Sequence, residues 1–242
     1  MKPVFKTMGD SAIQIEFGQE ITPAINAQIT AFVELIKNQK IEGIIDMIPA
    51  FCTLLINYDP RIIVYKELLT RLQELAKLDI QIQNLSSKAF EIPVIYGGEY
   101  GPDLENVAKL AGLLEEEVIA IHSRPDYLIY MLGFMPGFPY LGGLDARIHT
   151  PRLDNPRLKI PSGSVGIGGE QTGIYPLESP GGWQLLGRTP VKIYEPSREV
   201  PILFNAGDYI RFVPITEEEY QKIGKLVEKN EYECATRIKE LS

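Results

Sequence analysis

Three segments dense in glycine and proline carry most of the side chains in this sequence that could bind or transform a small molecule. The first, Tyr130 to Leu144, interleaves Phe134, Pro136, Gly137, Phe138, Pro139 and Tyr140. Glycine and proline at that density among aromatics describe a rigid loop whose backbone approaches something closely, or a hydrophobic corner of a barrel. The second, Lys159 to Pro176, sets Ser162, Ser164, Gln171 and Thr172 beside several flexible backbone amides. Hydroxyl, amide and main-chain donors in that mixture suit a carboxylate or amide ligand. The third, Ser179 to Pro190, contributes Gly181, Gly182, the only tryptophan, Trp183, and Arg188. A guanidinium there either pairs with a carboxylate through two parallel hydrogen bonds or holds the fold together.

Other chemistry is poorly supported. Gly182 to Thr189 matches a phosphate-binding loop except for Arg188 in place of lysine, but Pro190 biases Thr189 away from the helix such a loop must open. Ser162 to Gly166 lacks the first glycine of a nucleophile elbow and any helix after it. His122 and His149 stand far apart with no clustered carboxylates, so no metal site is expected. His122 ends a predicted helix, where a cation would serve the dipole, and His149 reads as exposed. Cys52 lies in an apolar run and reads as a small buried side chain, while Cys234 has no informative context.

The elements that position these segments follow from periodicity. Ser11 to Phe17 alternates apolar and polar residues, predicting a strand that turns Ile13, Ile15 and Phe17 inward. Thr22 and Pro23 open a helix carrying Ile25, Ile29, Phe32, Val33 and Ile36. Ile44 to Ile48 and Phe51 to Asn57 read as strands, Asp59-Pro60 opens a second helix, and a further strand is expected near Ala89 to Tyr96. That order, βαββαβ, is the split pattern of ferredoxin-like domains. Asp103 caps a short helix through Ala111, and Leu114 to His122 makes another. Twelve of the 21 glycines fall between Gly133 and Gly187, among short apolar segments, which argues for a closed or strongly bent β structure. Thr216 and Glu219 form a capping box for a last helix carrying Tyr220, Ile223, Leu226 and Val227. The fold class is therefore α+β, with domains over 1–87 and 88–242 and a linker over Gln83 to Lys88. A net charge of −8 and the lack of a basic, aromatic-interleaved run argue against nucleic acid. No long apolar stretch predicts a membrane span or signal peptide, so a cytoplasmic location is expected.

The motifs GF-x-PGFPYLGGLD, PSGSVGI-x-G-x-QTGIYP and SPGGW-x-x-x-GRTP closely resemble those of the family that supplies the B component of 5-oxoprolinase (PxpB), also called the KipI or allophanate hydrolase subunit 1 family. The resemblance extends over nearly the whole chain, including Gly9 to Ala12. It implies a cyclophilin-like β-barrel after the small N-terminal domain, and two partner proteins, a homologous C component and an A component. Together they would hydrolyse 5-oxoproline to glutamate with ATP as cosubstrate, without assigning the ATP site to one chain. Within the matched motifs, Arg188 would sit near the substrate carboxylate, with Ser162, Ser164, Gln171, Thr172, Gly181 and Gly182 around the lactam. His122 or Tyr175 would transfer protons, and Phe134 to Tyr140 with Trp183 would face the partner or wall the pocket. The resemblance also reaches the carboxyltransferase part of urea carboxylase, although no Ala-Met-Lys-Met biotin site is present, and KipI-type inhibitors of a sensor histidine kinase. Fold alone would suggest prolyl isomerisation, a weak argument for activity.

Overall fold

The computed structural model describes residues 3–78 and 86–240. The chain divides into two compact units, one reaching Ser86 and the other spanning Ser87–Lys239. The first contains β1 (Val4–Met8), β2 (Ala12–Glu16), α1 (Pro23–Gln39), β3 (Ile44–Pro49), β4 (Thr53–Tyr58) and α2 (Tyr65–Leu75). Its sheet has the antiparallel order β1-β2-β4-β3. Because β4 lies between β2 and β3, the segment β2-α1-β3 is the expected split βαβ unit. Alternation places Ile13, Ile15 and Phe17 in the core against Phe32, Leu54, Ile56 and Leu68. Thr22 caps α1 by accepting from the Ile25 amide at 3.2 Å, with Pro23 in the first turn.

Two expectations about this unit are corrected. The strand at 89–96 does not complete its sheet. The outer place beside β2 is taken by β1 from the other end of the unit, so the order is ββαββα. Asp59-Pro60 does not open α2 either. The Asp59 carboxylate accepts from the Arg61 amide at 2.9 Å and pairs with its guanidinium, fixing a turn that delays the helix until Tyr65. Of the expected linker, Gln83 to Leu85 lie outside the described residues, and Ser86 to Lys88 already begin the next strand.

The second unit is built on β5 (Ser86–Tyr96), β6 (Tyr127–Leu132), β7 (Pro139–Gly142), β9 (Ser164–Gly168), β10 (Gln171–Ile174), β12 (Gln184–Arg188) and β13 (Tyr209–Pro214). The strand order β12-β9-β10-β7-β6-β13-β5 closes on itself through β12–β5 pairing, Gly187 opposite Tyr96 and Arg188 opposite Ile95. Closure leaves these seven strands no free edge along the ring. A C-terminal strand, β14 (Thr236–Glu240), extends β5, and a small hairpin-like pair joins β8 (Arg157–Ile160) to β11 (Ser179–Gly181). Helices α3 (Leu104–Ala111), α4 (Glu115–Ser123) and α5 (Glu217–Glu228) complete the unit. The interior is filled by Ile92, Val94, Ile129, Leu141, Val165, Ile167, Ile174, Leu186, Ile210 and Phe212. Both the α+β class and the closed barrel agree with the fold the resemblance implies. No helix among the described residues is long and apolar enough to cross a membrane.

Candidate functional site

The period of two along β9 and β10 sorts the candidate residues onto opposite faces of the barrel wall. Val165, Ile167, Thr172 and Ile174 turn inward. Ser164, Gly166, Gly168, Gln171, Gly173 and Tyr175 turn outward, and Leu185 and Arg188 of β12 join them, with a bulge between Leu185 and Gly187 restoring the register. Ser164 lies directly opposite Arg188.

The outward face carries a second, smaller cluster of Phe138, Ile160, Tyr175, Trp183 and Leu185. Its glycines are required by close approach of rings. A Cβ on Gly168 would stand 2.3 Å from the Trp183 indole nitrogen, and one on Gly173 would stand 3.1 Å from Trp183 Cζ3 and 3.4 Å from Phe138 Cζ. The rings therefore lie on bare backbone, and Phe138 meets Tyr140, Tyr175 and Trp183 edge-on at centroid distances of 5.1, 5.4 and 5.5 Å. Tyr175 is buried, its phenol pushed up by burial against the pull of Arg152, and a Cβ on Gly181 would stand 2.6 Å from its hydroxyl.

The loop before β7 presents the remaining aromatics. Met135 donates its amide to the Gly133 carbonyl at 2.7 Å, a tight turn centred on Phe134, whose φ is +63°. A left-handed backbone is costly for phenylalanine, yet this side chain is 69% exposed, with its ring edge-on to Phe138 at 5.6 Å. Pro136 is exposed beside it, whereas Gly137 and Pro139 are buried.

Arg188 stands at the end of this face. Its guanidinium carbon lies 5.6 Å from the centre of the Tyr100 ring, and it interacts with the Tyr220 hydroxyl; the two tyrosine rings are 4.9 Å apart. Among the described residues no carboxylate pairs with it, and its Nε is buried without a hydrogen-bond partner, as is Ser164 Oγ. Buried polar groups are nearly always satisfied, so these two donors, on directly opposed residues, are candidate contacts for a bound acceptor. The sequence pattern marks Tyr220 only as part of a helix stripe, and nothing around Tyr100 singles it out.

Two further residues, one a site candidate and one an expected cap, have structural partners. Ser162 Oγ donates to the Pro176 carbonyl at 2.8 Å. Asp103 precedes α3 as expected but makes no side-chain cap. Its carboxylate instead accepts from the Leu185 amide at 2.6 Å and from Arg157 at 2.7 Å, clamping the start of β12 under Trp183. Gly181 and Gly182 flank that clamp at the end of β11.

His122 and Thr172 lie on the other side of the wall. His122 is fully buried, stacked on Phe212 at 4.6 Å, rather than an exposed cation at a helix end. The Thr172 hydroxyl donates to the Gly166 carbonyl at 3.0 Å, so it accepts from His122 Nε2 at 2.8 Å. Nδ1 therefore accepts from the Tyr96 hydroxyl at 2.8 Å. This is a neutral imidazole, and burial pushes its pKa down to about 3. His149 is exposed, with Nε2 3.1 Å from the Leu144 carbonyl. Two described cavities, of about 530 and 500 Å³, are lined by none of the candidate residues.

Comparison with known proteins identifies the family and the fold. The profile of the family described as "Carboxyltransferase domain, subdomain C and D" matches residues 3–204. The chain is 46% identical to the B component of the 5-oxoprolinase of Bacillus subtilis over 224 residues, 88% of this chain and 93% of that protein. It superposes on the crystal structure of TTHA0988 with a TM-score of 0.76 at 38% identity, over 85% of this chain but only 40% of the other. It is 28% identical to the urea amidolyase of Saccharomyces cerevisiae over 92% of its own length and 14% of that protein.

Proposed function

Because this chain belongs to the carboxyltransferase-domain family, subdomains C and D, and within it to the family of 5-oxoprolinase B components, we propose that it is one subunit of an ATP-dependent 5-oxoprolinase. Its partners in this reading are a homologous C component and an A component, and the reaction consumes 5-oxoproline, ATP and water to yield glutamate, ADP and phosphate. The observation that carries the reading is the pair of unpartnered buried donors, Arg188 Nε and Ser164 Oγ, on opposed residues of β12 and β9.

The substrate has a carboxylate and a lactam. A guanidinium held by two tyrosines and free of any described carboxylate suits the first, because Arg presents a planar fork that a carboxylate matches. Gln171, on the same outward face, suits the amide. A lactam nitrogen delocalises its lone pair into the carbonyl, so phosphorylation of the carbonyl oxygen by ATP would make the ring carbon open to water. This chain's part would then be to bind and orient the substrate, with Tyr175 the remaining candidate for proton transfer on this face. Its phenol is buried, so that role requires the face to open when partners assemble. This reading gives His122 no proton-transfer role, because its ring is buried toward the barrel interior and its pKa is pushed down to about 3.

The test is glutamate release from 5-oxoproline and ATP by this chain alone and mixed with the candidate A and C components. Activity is expected only in the full mixture. Arg188→Ala should then lower it by more than about tenfold, and Arg188→Lys should restore little, because charge without the fork does not suffice. A smaller loss would remove Arg188 from the site. Carboxyl transfer is the second reading, favoured by the similarity to urea amidolyase. An inactive mixture of folded, associating components that accepts a biotin-bearing partner would favour it.

A further inference from the structure

The cavity of about 530 Å³ lies between the segment 191–203 and the residues leading into β14, and the proposed oxoprolinase chemistry makes no use of it. Its floor is apolar. Phe90, Val191 and Val227 are buried there, Ile202 and Leu203 are partly buried, and Phe90 is braced edge-on by Phe204 at 5.7 Å. Val200 stands at the lip 66% exposed, where an apolar body would cover it.

The rim is polar, and its charges are unequal in their state. Lys192 is paired with Glu195 at 2.9 Å, and Glu195 also accepts from the Ser197 hydroxyl at 3.0 Å. Arg198 is different. It donates to the Lys192 carbonyl at 2.8 Å, and no described carboxylate pairs with it. Glu233, exposed at the rim, opposes an anion without neutralising the guanidinium at contact. Cys234 faces the same space. Burial pushes its thiol up to about 11, with Arg198 as the opposing influence, so it stays a neutral, soft wall.

We propose that this cavity is a second ligand site, for a monocarboxylate with an apolar body of roughly six to ten carbons, its carboxylate on Arg198 and its chain over Phe90, Val191 and Val227. The size fits, since ligand pockets run from roughly 300 to 1,000 Å³. One guanidinium supplies one fork, which favours a carboxylate over a multiply charged phosphate.

Cys234 gives the test a local readout. In the full chain carrying Cys52→Ser, alkylation of Cys234 by N-ethylmaleimide is followed by mass spectrometry at mildly alkaline pH, with octanoate or octanamide as probe. Octanoate at ten times its dissociation constant, measured by calorimetry, should slow labelling about tenfold. Octanamide, with the same body and no charge, should bind at least about tenfold more weakly. Arg198→Gln should weaken octanoate by about tenfold. Glu233→Gln, at an exposed position that leaves the floor intact, should tighten it and keeps the test decisive if the first variant fails to fold. The proposal is overturned if millimolar octanoate neither releases heat nor protects Cys234. Equal binding of octanamide, or indifference of octanoate affinity to both substitutions, would equally overturn it.

Discussion

At the scale of single residues, the two sides of the barrel wall have opposite physical characters, and each makes its own prediction. Inside, His122 is neutral when folded and free to protonate when unfolded. Between about pH 6.5 and the folded value of about 3, the unfolded chain therefore holds one proton more, and stability falls as pH is lowered. This contribution is fully present above the unfolded value and should change by about 1.4 kcal/mol per pH unit below it. Urea unfolding at pH 7 and pH 4.5 should show His122→Gln less stable than the parent at pH 7, yet with a shallower decline by one proton. A parallel decline in both would mean the ring is not the neutral group described. Outside, Phe134 holds a left-handed backbone while exposing its ring. Phe134→Gly relieves that strain, so the isolated chain should be as stable as the parent or more so by about 1 kcal/mol. The same variant should bind its partner protein at least about tenfold more weakly, because exposed aromatics on rigid loops make interface anchors. Stability and association moving in opposite directions would separate this role from a structural one.

At the scale of elements, β14 is tied to the barrel by its pairing with β5 and, through its side chains, by one carboxylate. Asp126 takes Arg211 from β13 and both Arg237 and Lys239 from β14, and Lys239 also lies 4.2 Å above the Tyr209 ring. Burial alone would raise the Asp126 carboxyl, and these three cations outweigh it, holding it below the usual range. Asp126→Asn should cost about 1 kcal/mol, since the cations are partly solvated, and the loss should be local. Amide exchange in 236–240 should speed up while that of β9 and β10 stays unchanged. The elements also show what could be read in advance. The inward set of β2, the Thr22 cap and the Thr216–Glu219 box were legible because local chemistry alone decides them. Strand β1 was not, because it is largely exposed and lacks a clean alternation. The place of β5 was misread because a strand buried on both faces looks the same in either unit. The sorting of Gln171 from Thr172 follows from alternation alone, so that part of the site was readable. The Tyr100 and Tyr220 clasp on Arg188 was not, since it joins residues 120 positions apart that no local pattern connects.

At the scale of the whole molecule, each unit contains its own core. The barrel interior draws on residues from Phe90 to Phe212, with Tyr232 and Cys234 packed against it, and the N-terminal core on residues from Ile13 to Leu75. A fragment spanning Ser87–Lys239 should therefore fold alone, with dispersed methyl signals and cooperative melting. Failure to fold would mean the barrel depends on the first unit for more than tethering.

The flat seating of Trp183 on Gly168 has one more consequence. It is the only tryptophan in the chain, buried in edge contact with Phe138, which ends the turn that carries Phe134. Excited at the red edge, where the twelve tyrosines do not absorb, intrinsic emission therefore comes from a single fluorophore inside the proposed working face. A partner protein docking on that loop, or a substrate analogue ordering the face, should register in the emission spectrum of the unlabelled protein, leaving distant events silent.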